Sequence, residues 1–428
     1  MPCRFHPFSF AILASTCMSL CVALVMLVAP APSTASEHST ASEHSVASGH
    51  DFSSVINAAT GQTVYFNAWG GDDKINAYIE WASAEVSERF DITLVHVKLG
   101  DTGAAVSRIL AEKAAGRDTN GSVDLLWVNG ANFAALKQHS LLQPAPWVED
   151  LPNWQFTDAA ALPALKLDFA EPTGGLESPW GRAQLVFSHD TAITPLPPKN
   201  AITLASYIKK HPGRFTYPLP PDFIGLSFLK QLILELSIDP SPLYAPVSQA
   251  DFDAVTAPLW IWLEDVTPYL WRGGKSYPAN YPALRQLLAD AEIDIAMAFN
   301  PADASAAIAR GELQPTVRTY IHDGGTLANV HFLAIPFNAS AADAAKVVAN
   351  FLLSPAAQIR KADPRIWGDP TVLARHRLDP ADKAALDALP RGVATLGEAD
   401  LTRTLAEPHP SWMPAIEAEW KRRYGSGN

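Results

Sequence analysis

Trp69-Gly70-Gly71 closes a β-branched and aromatic run, and Asp72 and Asp73 follow it directly. Glycines let a backbone approach a guest closely, and an indole offers it a flat apolar wall. The pattern returns where Trp127 leads into Asn129-Gly130-Ala131-Asn132. Farther on, Pro218-Leu219-Pro220-Pro221 delivers Asp222 and Phe223, and Asn300 follows another apolar run. Each stands where a strand or loop hands over to a helix, which is where open α/β sheets hold ligands. The chemistry these residues suit is capture by stacking and hydrogen bonding. Taken one at a time, ordinary turn and capping roles explain them equally well. Asp72 and Asp73 in particular suit the N-terminal cap of the helix they precede.

Bond-breaking chemistry finds much less support. The sequence contains no G-x-S-x-G, H-E-x-x-H or G-x-G-x-x-G. Gly274-Lys275-Ser276 resembles the end of a phosphate-binding loop, but Tyr269 occupies the earlier glycine position. Asp118-Thr119-Asn120-Gly121 has the wrong acidic spacing for a calcium loop and reads as a turn. A hydrolase with a dispersed active site remains the alternative from a different class. Neither a cofactor nor a metal is expected.

The elements that must position these residues alternate. Thr63–Asn67 reads as a strand, and Ile75, Tyr78, Ile79, Ala82 and Val86 mark one face of the following helix. A strand is expected at Ile92–Leu99, a helix at Ala104–Ala115 and a continuous apolar strand at Val123–Val128, giving a parallel α/β sheet with buried strands. The second half repeats the style, with strands near Gln184–Ser188, Ile293–Phe299, Thr316–Tyr320 and Val330–Pro336. Helices are expected at Leu226–Leu236, Phe252–Leu270 and Ala341–Leu353, with short proline-separated helices beyond. About 370 structured residues exceed one comfortable core, so two lobes are expected. Trp260 and Trp262, on a helix, read as packing residues, whereas Trp180 stands beside the expected crossover between lobes.

The chain opens with Arg4, an uncharged apolar run from Phe8 to Ala29 and a small-residue stretch to Ala35, the order of a secretory signal peptide. Cleavage is expected after Ala35, with Ala31 as the second choice and an uncleaved anchor as the alternative. Cys3, Cys17 and Cys21 all fall inside this leader, so the mature chain is expected to hold no disulfide, zinc thiolate or cysteine nucleophile. Without Arg4, 31 basic residues face 44 acidic ones, a net charge near −13 that argues against nucleic-acid binding. Residues 36–60, a Ser/Ala/His/Glu segment at their start, read as a disordered tether. His38, His44 and His50 recur in it as a solvated repeat or a loose metal trap.

Several motifs together resemble the extracellular solute-binding proteins of ABC importers, and within them the YnjB-like branch described with thiamine-type transport. They are Phe66-Asn-Ala-Trp-Gly-Gly71, Asp124-Leu-Leu-Trp-Val-Asn-Gly130, Pro179-Trp-Gly-Arg-Ala-Gln184, Pro218-Leu-Pro-Pro-Asp222, Tyr269-Leu-Trp-Arg-Gly-Gly-Lys-Ser-Tyr-Pro278, Met297-Ala-Phe-Asn300, Asn329-Val-His-Phe-Leu-Ala-Ile-Pro336 and Glu407-Pro-His-Pro-Ser-Trp412. The resemblance implies a two-lobed periplasmic-binding-protein fold of type II. Residues 61–177 would form the first lobe, 178–330 the second, and 331–428 the return to the first with the C-terminal helices.

It further implies a periplasmic monomer that closes on a small solute and docks on a permease in the inner membrane. Iron carriers of related type use adjacent tyrosines, and no Tyr-Tyr pair occurs here. The candidate ligand-binding residues are Trp69, Gly70, Gly71, Asp73, Trp127, Asn129, Trp180, Gln184, Asp222, Phe223, Trp271, Asn300 and Asn329. Stacking tryptophans with Asp222 would suit a flat cation such as thiamine. A neutral sugar is the competing guest.

Overall fold

The computed structural model describes residues 52–425, which lie within one compact unit beginning at Gly49. The expected leader and the histidine repeat fall outside the described residues. The tether reading fails from Phe52 onward, because Phe52–Ala59 forms a helix, α1. Phe52, Val55 and Ile56, spaced for one helical face, pack on the adjoining core.

In the first lobe, β1 (Thr63–Trp69), α2 (Asp73–Phe90), β2 (Thr93–Leu99), α3 (Gly103–Ala114), β3 (Leu125–Val128) and α4 (Ala131–Gln138) follow in order. All five apolar positions read for the first of these long helices are buried in α2. β1 pairs in parallel with both β2 and β3. A small hairpin, β4 (Leu167–Asp168) and β5 (Glu171–Pro172), then leads to β6 (Glu177–Gln184) and β7 (Val186–Asp190).

The second lobe holds α5 (Ala201–Lys210), α6 (Phe223–Leu236), α7 (Phe252–Val266), α8 (Tyr281–Ala289), β8 (Ile295–Ala298), α9 (Asp303–Ala309) and β9 (Val317–Tyr320). β10 (Thr326–Ala334) returns to the first lobe and leads to α10 (Ala342–Leu352), and β11 (Thr404–Leu405) precedes a C-terminal helix, Trp412–Tyr424.

The parallel pairing expected of the first three strands is present, whereas strands of the second half pair mostly antiparallel. β10 lies antiparallel to β3 and to β6, and β7 is antiparallel to both β8 and β9. The reason is topological: β10 arrives from the other lobe and runs opposite to strands that began in the first. Two cores divide along these crossovers. Trp180, Val330 and Phe332 belong to one, whereas Leu185, Phe187 and Leu327 belong to the other. The paired strands β6 and β10, running from Ala328 opposite Gln184 to Ala334 opposite Glu177 with a register shift between His331 and Phe332, therefore connect the two cores. The C-terminal helix packs Trp412, Ile416 and Trp420 into the second core, so the chain finishes on the second lobe. No helix among the described residues is long and apolar enough to cross a membrane.

Candidate functional site

Hydrophobic strands end in polar loops, and two such ends from the first lobe meet a face of α6 from the second at the junction between lobes. At the end of β1, Trp69 is half-buried, and its indole folds back over the chain. A Cβ at Gly71 would come within 2.3 Å of the ring, and one at Gly70 within 2.6 Å of the Lys98 side chain. The two glycines thus first serve the packing of Trp69 and Lys98. Asp72 caps α2, accepting from the backbone N–H groups of Lys74 at 2.8 Å and Ile75 at 3.4 Å, while Asp73 is exposed in the first turn. This end of α2 faces the second lobe. Burial, and then the Arg310 charge, hold the Lys74 ammonium below its ordinary range.

At the end of β3, Trp127 is half-buried and Asn129 follows at the same depth. Gly130 has φ +58°, and a Cβ there would meet the Phe169 ring at 2.7 Å, so only glycine fits. Its N–H donates to both carboxylate oxygens of Asp168 at 2.8 Å. Asp168 is buried, and burial first of all pushes its carboxyl up to about 8, against the pull of the Gly130 N–H.

From the second lobe, α6 presents Phe223, Ser227 and Lys230 at the i, i+4, i+7 spacing of one helical face. The Lys230 ammonium, 1% exposed, donates to Glu407 Oε2 at 2.5 Å and lies 4.4 Å from the centroid of the Phe169 ring. Phe223 lies 5.7 Å from the same ammonium and packs edge-on against Phe299 at 5.1 Å. Asn329, on the crossover strand β10, donates to Glu407 Oε1 at 2.9 Å.

The structure thus brings together Asn329 and Phe223 with four residues that the sequence reading missed: Asp168, Phe169, Lys230 and Glu407. Lys230 carried a legible signal, since a lone lysine in the apolar run Phe223–Leu236 needs a partner if the helix is buried. The Asp168-Phe169 turn carried none.

Trp180, Trp271 and Gln184 are placed elsewhere, whereas Asn300 and Asp222, beside Phe299 and Phe223, serve the helices they precede. Trp180 is fully buried and is a core residue, its ring 5.0 Å from Trp127, 5.2 Å from Trp367 and 5.7 Å from Phe66. Trp271 donates to Glu292, which precedes β8, at the end of that strand opposite Asn300. It is therefore turned away from the junction. Gln184 is buried in the crossover, where its amide donates to Thr326 Oγ1 and to the Arg403 carbonyl, both at 3.1 Å. Asn300 accepts from the Ala302 N–H at 2.9 Å and shapes the turn into α9.

Asp222 caps α6 through Ile224 at 2.8 Å and Gly225 at 3.2 Å, and its other oxygen accepts from the Tyr281 N–H at 3.3 Å. Both oxygens thus accept from backbone groups, which gives Asp222 a positional role in capping α6. Asp222→Ala is expected to lower stability by about 1 kcal/mol in denaturant titration, the ordinary loss of an N-cap. Solute affinity should stay within about twofold.

The bacterial extracellular solute-binding protein family matches this chain over residues 81–386. Protein YnjB of Escherichia coli (strain K12) is 48% identical over 377 residues, which is 88% of this chain and 94% of that protein. Among solved structures, the spermidine/putrescine ABC transporter substrate-binding protein PotD of Streptococcus pneumoniae superposes with a TM-score of 0.59 at 13% identity, covering 85% of this chain and 98% of that one. AfuA of Actinobacillus pleuropneumoniae, with fructose-6-phosphate bound, gives 0.59 at 14% identity over 85% and 99%.

At such identities the two structures speak for the fold, which is the two-lobed α/β architecture of periplasmic binding proteins. Family membership implies a periplasmic or extracellular location and delivery of a small molecule to a membrane permease. The chain belongs to the bacterial extracellular solute-binding proteins and is the substrate-binding component of an ABC transporter, not an enzyme.

Proposed function

We propose that this chain captures a small cationic solute with a flat or extended apolar body, thiamine-like or polyamine-like, between its lobes. The observation that carries the reading is Asp168. It is a deeply buried carboxylate at the lobe junction whose one hydrogen-bond donor among the described residues is the Gly130 N–H. Burial keeps this carboxyl protonated up to about pH 8 even with the Lys230 ammonium nearby, and a further cation reaching it would favour its ionised form. The half-buried indoles of Trp69 and Trp127, at the ends of neighbouring strands, supply faces on which a flat cation stacks. The name of PotD, a spermidine/putrescine binder, agrees with a cationic guest, and the fructose-6-phosphate in AfuA marks the competing one.

Calorimetric titration with thiamine, putrescine, fructose 6-phosphate and glucose separates these guests. One of the cations is expected to bind saturably at one per chain. Trp69→Ala is expected to weaken that binding by about tenfold, roughly 1.4 kcal/mol, with little change in the stability of the unliganded protein. Saturable binding of a sugar or sugar phosphate, with neither cation binding, would refute the cationic reading. Unfolding of Trp69→Ala would assign Trp69 to the core.

A further inference from the structure

Resting on the reading of a cationic solute, we infer that Asp168, Phe169, Asn329 and Glu407 form the subsite for the solute's charged group, and that the Lys230 ammonium occupies this subsite as the chain's own stand-in. The groups around Lys230 are those a solute ammonium requires. An aromatic face lies 4.4 Å from the nitrogen, and Glu407 accepts its hydrogen bond at 2.5 Å. Asp168 is near enough to act on its charge. Asn329 supplies an amide oxygen, Oδ1, that accepts no hydrogen bond among the described residues although the side chain is only 8% exposed. Ser227 Oγ, on the same face of α6 as Lys230, is likewise buried and unpartnered. Asn329 and Lys230 share the two oxygens of Glu407, so Asn329 Oδ1 is placed to accept from a further donor at this carboxylate.

The backbone supports the same assignment. Phe169 and Ala170 have φ of +46° and +64°, both left-handed, at the turn of the β4–β5 hairpin. Hairpin turns of this kind ordinarily use asparagine or glycine, and a bulky residue there is strained. The strain is held by the Asp168–Gly130 hydrogen bonds on one side and by the packing of the Phe169 ring between Gly130 and Lys230 on the other. That ring belongs to the first lobe, whereas Lys230 and Glu407 belong to the second. Their contact ties the lobes together without solute. A solute cation entering the subsite takes the acceptors from Lys230 and makes the same tie through itself.

The test combines an interlobe distance with affinity. The expected mature chain has no cysteine, so Asp118→Cys and Ile238→Cys, both on exposed residues of opposite lobes, accept spin labels for pulsed dipolar spectroscopy. In the absence of solute, Lys230→Met and Phe169→Gly are each expected to broaden the distance distribution and lengthen its mean. Phe169→Gly removes the ring while relieving the left-handed turn, so it keeps the test informative should Lys230→Met fail to fold.

In titrations with thiamine and putrescine, Lys230→Met is expected to bind the cation that wild type binds about tenfold more tightly, because the internal competitor is gone. Phe169→Gly is expected to bind it about tenfold more weakly. Unchanged distance distributions in both variants would overturn the stand-in. Weaker cation binding by Lys230→Met would overturn it too, making Lys230 a direct solute contact. Longer distances in both variants with no cation bound by any of the three proteins would remove the cationic reading and the subsite together, leaving only a tie between lobes.

Discussion

Trp180→Ala is expected to destabilise the protein by about 3–5 kcal/mol in denaturant unfolding, the range for emptying a large aromatic site in a packed core. The residue has no exposed surface, and its ring meets Phe66, Trp127 and Trp367 within 5.7 Å and Tyr78 at 6.3 Å. Its carbonyl accepts from the buried Gln358 amide at 2.8 Å, which fixes β6 against the returning chain. Losing the indole leaves a cavity lined by other rings that cannot all collapse into it. The folded fraction should retain solute affinity within about tenfold, because the effect on binding runs only through Trp127. A large loss of affinity at unchanged stability would put Trp180 back in the cleft.

Asp168→Asn is expected to flatten the pH dependence of stability. In the unfolded chain this carboxyl titrates near its ordinary value of about 4, whereas burial raises it to about 8 in the folded protein. Between those limits the folded protein holds a proton that the unfolded chain has released. The stabilising contribution is therefore complete below about pH 4 and is lost as pH rises towards 8, at up to about 1.4 kcal/mol per pH unit. Asparagine keeps an acceptor for the Gly130 N–H and has no proton to lose. Chemical unfolding of the unliganded protein at pH 5, 6.5 and 8 should show wild type weakening steadily against Asp168→Asn. An identical slope for the two proteins would show that Asp168 does not titrate in this window. Because a bound cation favours the ionised carboxylate, solute binding near pH 7 is expected to release a proton, read from the buffer dependence of the calorimetric enthalpy.

Periodicity in the sequence was enough for the elements and not enough for their pairing. The helix through Ile75, Tyr78, Ile79, Ala82 and Val86 and the strands ending at Trp69 and Val128 were legible because burial imposes a repeat. The antiparallel placement of β10 was not, since its apolar run reads the same in either direction. Asp222 showed the limit of reasoning by residue type: an aspartate before a helix is as good a cap as a ligand, and backbone N–H groups claimed it. Trp180 and Trp127 look alike in sequence, yet the first is sealed beneath the second. Lys230 and Glu407 are 177 positions apart and become partners only once the chain's end has packed on the second lobe.

The lobes are expected to close on a cationic small molecule and to return it unchanged. Native mass spectrometry of the protein purified from its own export pathway, followed by denaturation and identification of the released solute, tests this most directly. One molecule per chain is expected, positively charged at neutral pH and chemically intact. A neutral sugar or sugar phosphate as the released molecule would contradict it, and so would a chemically altered product.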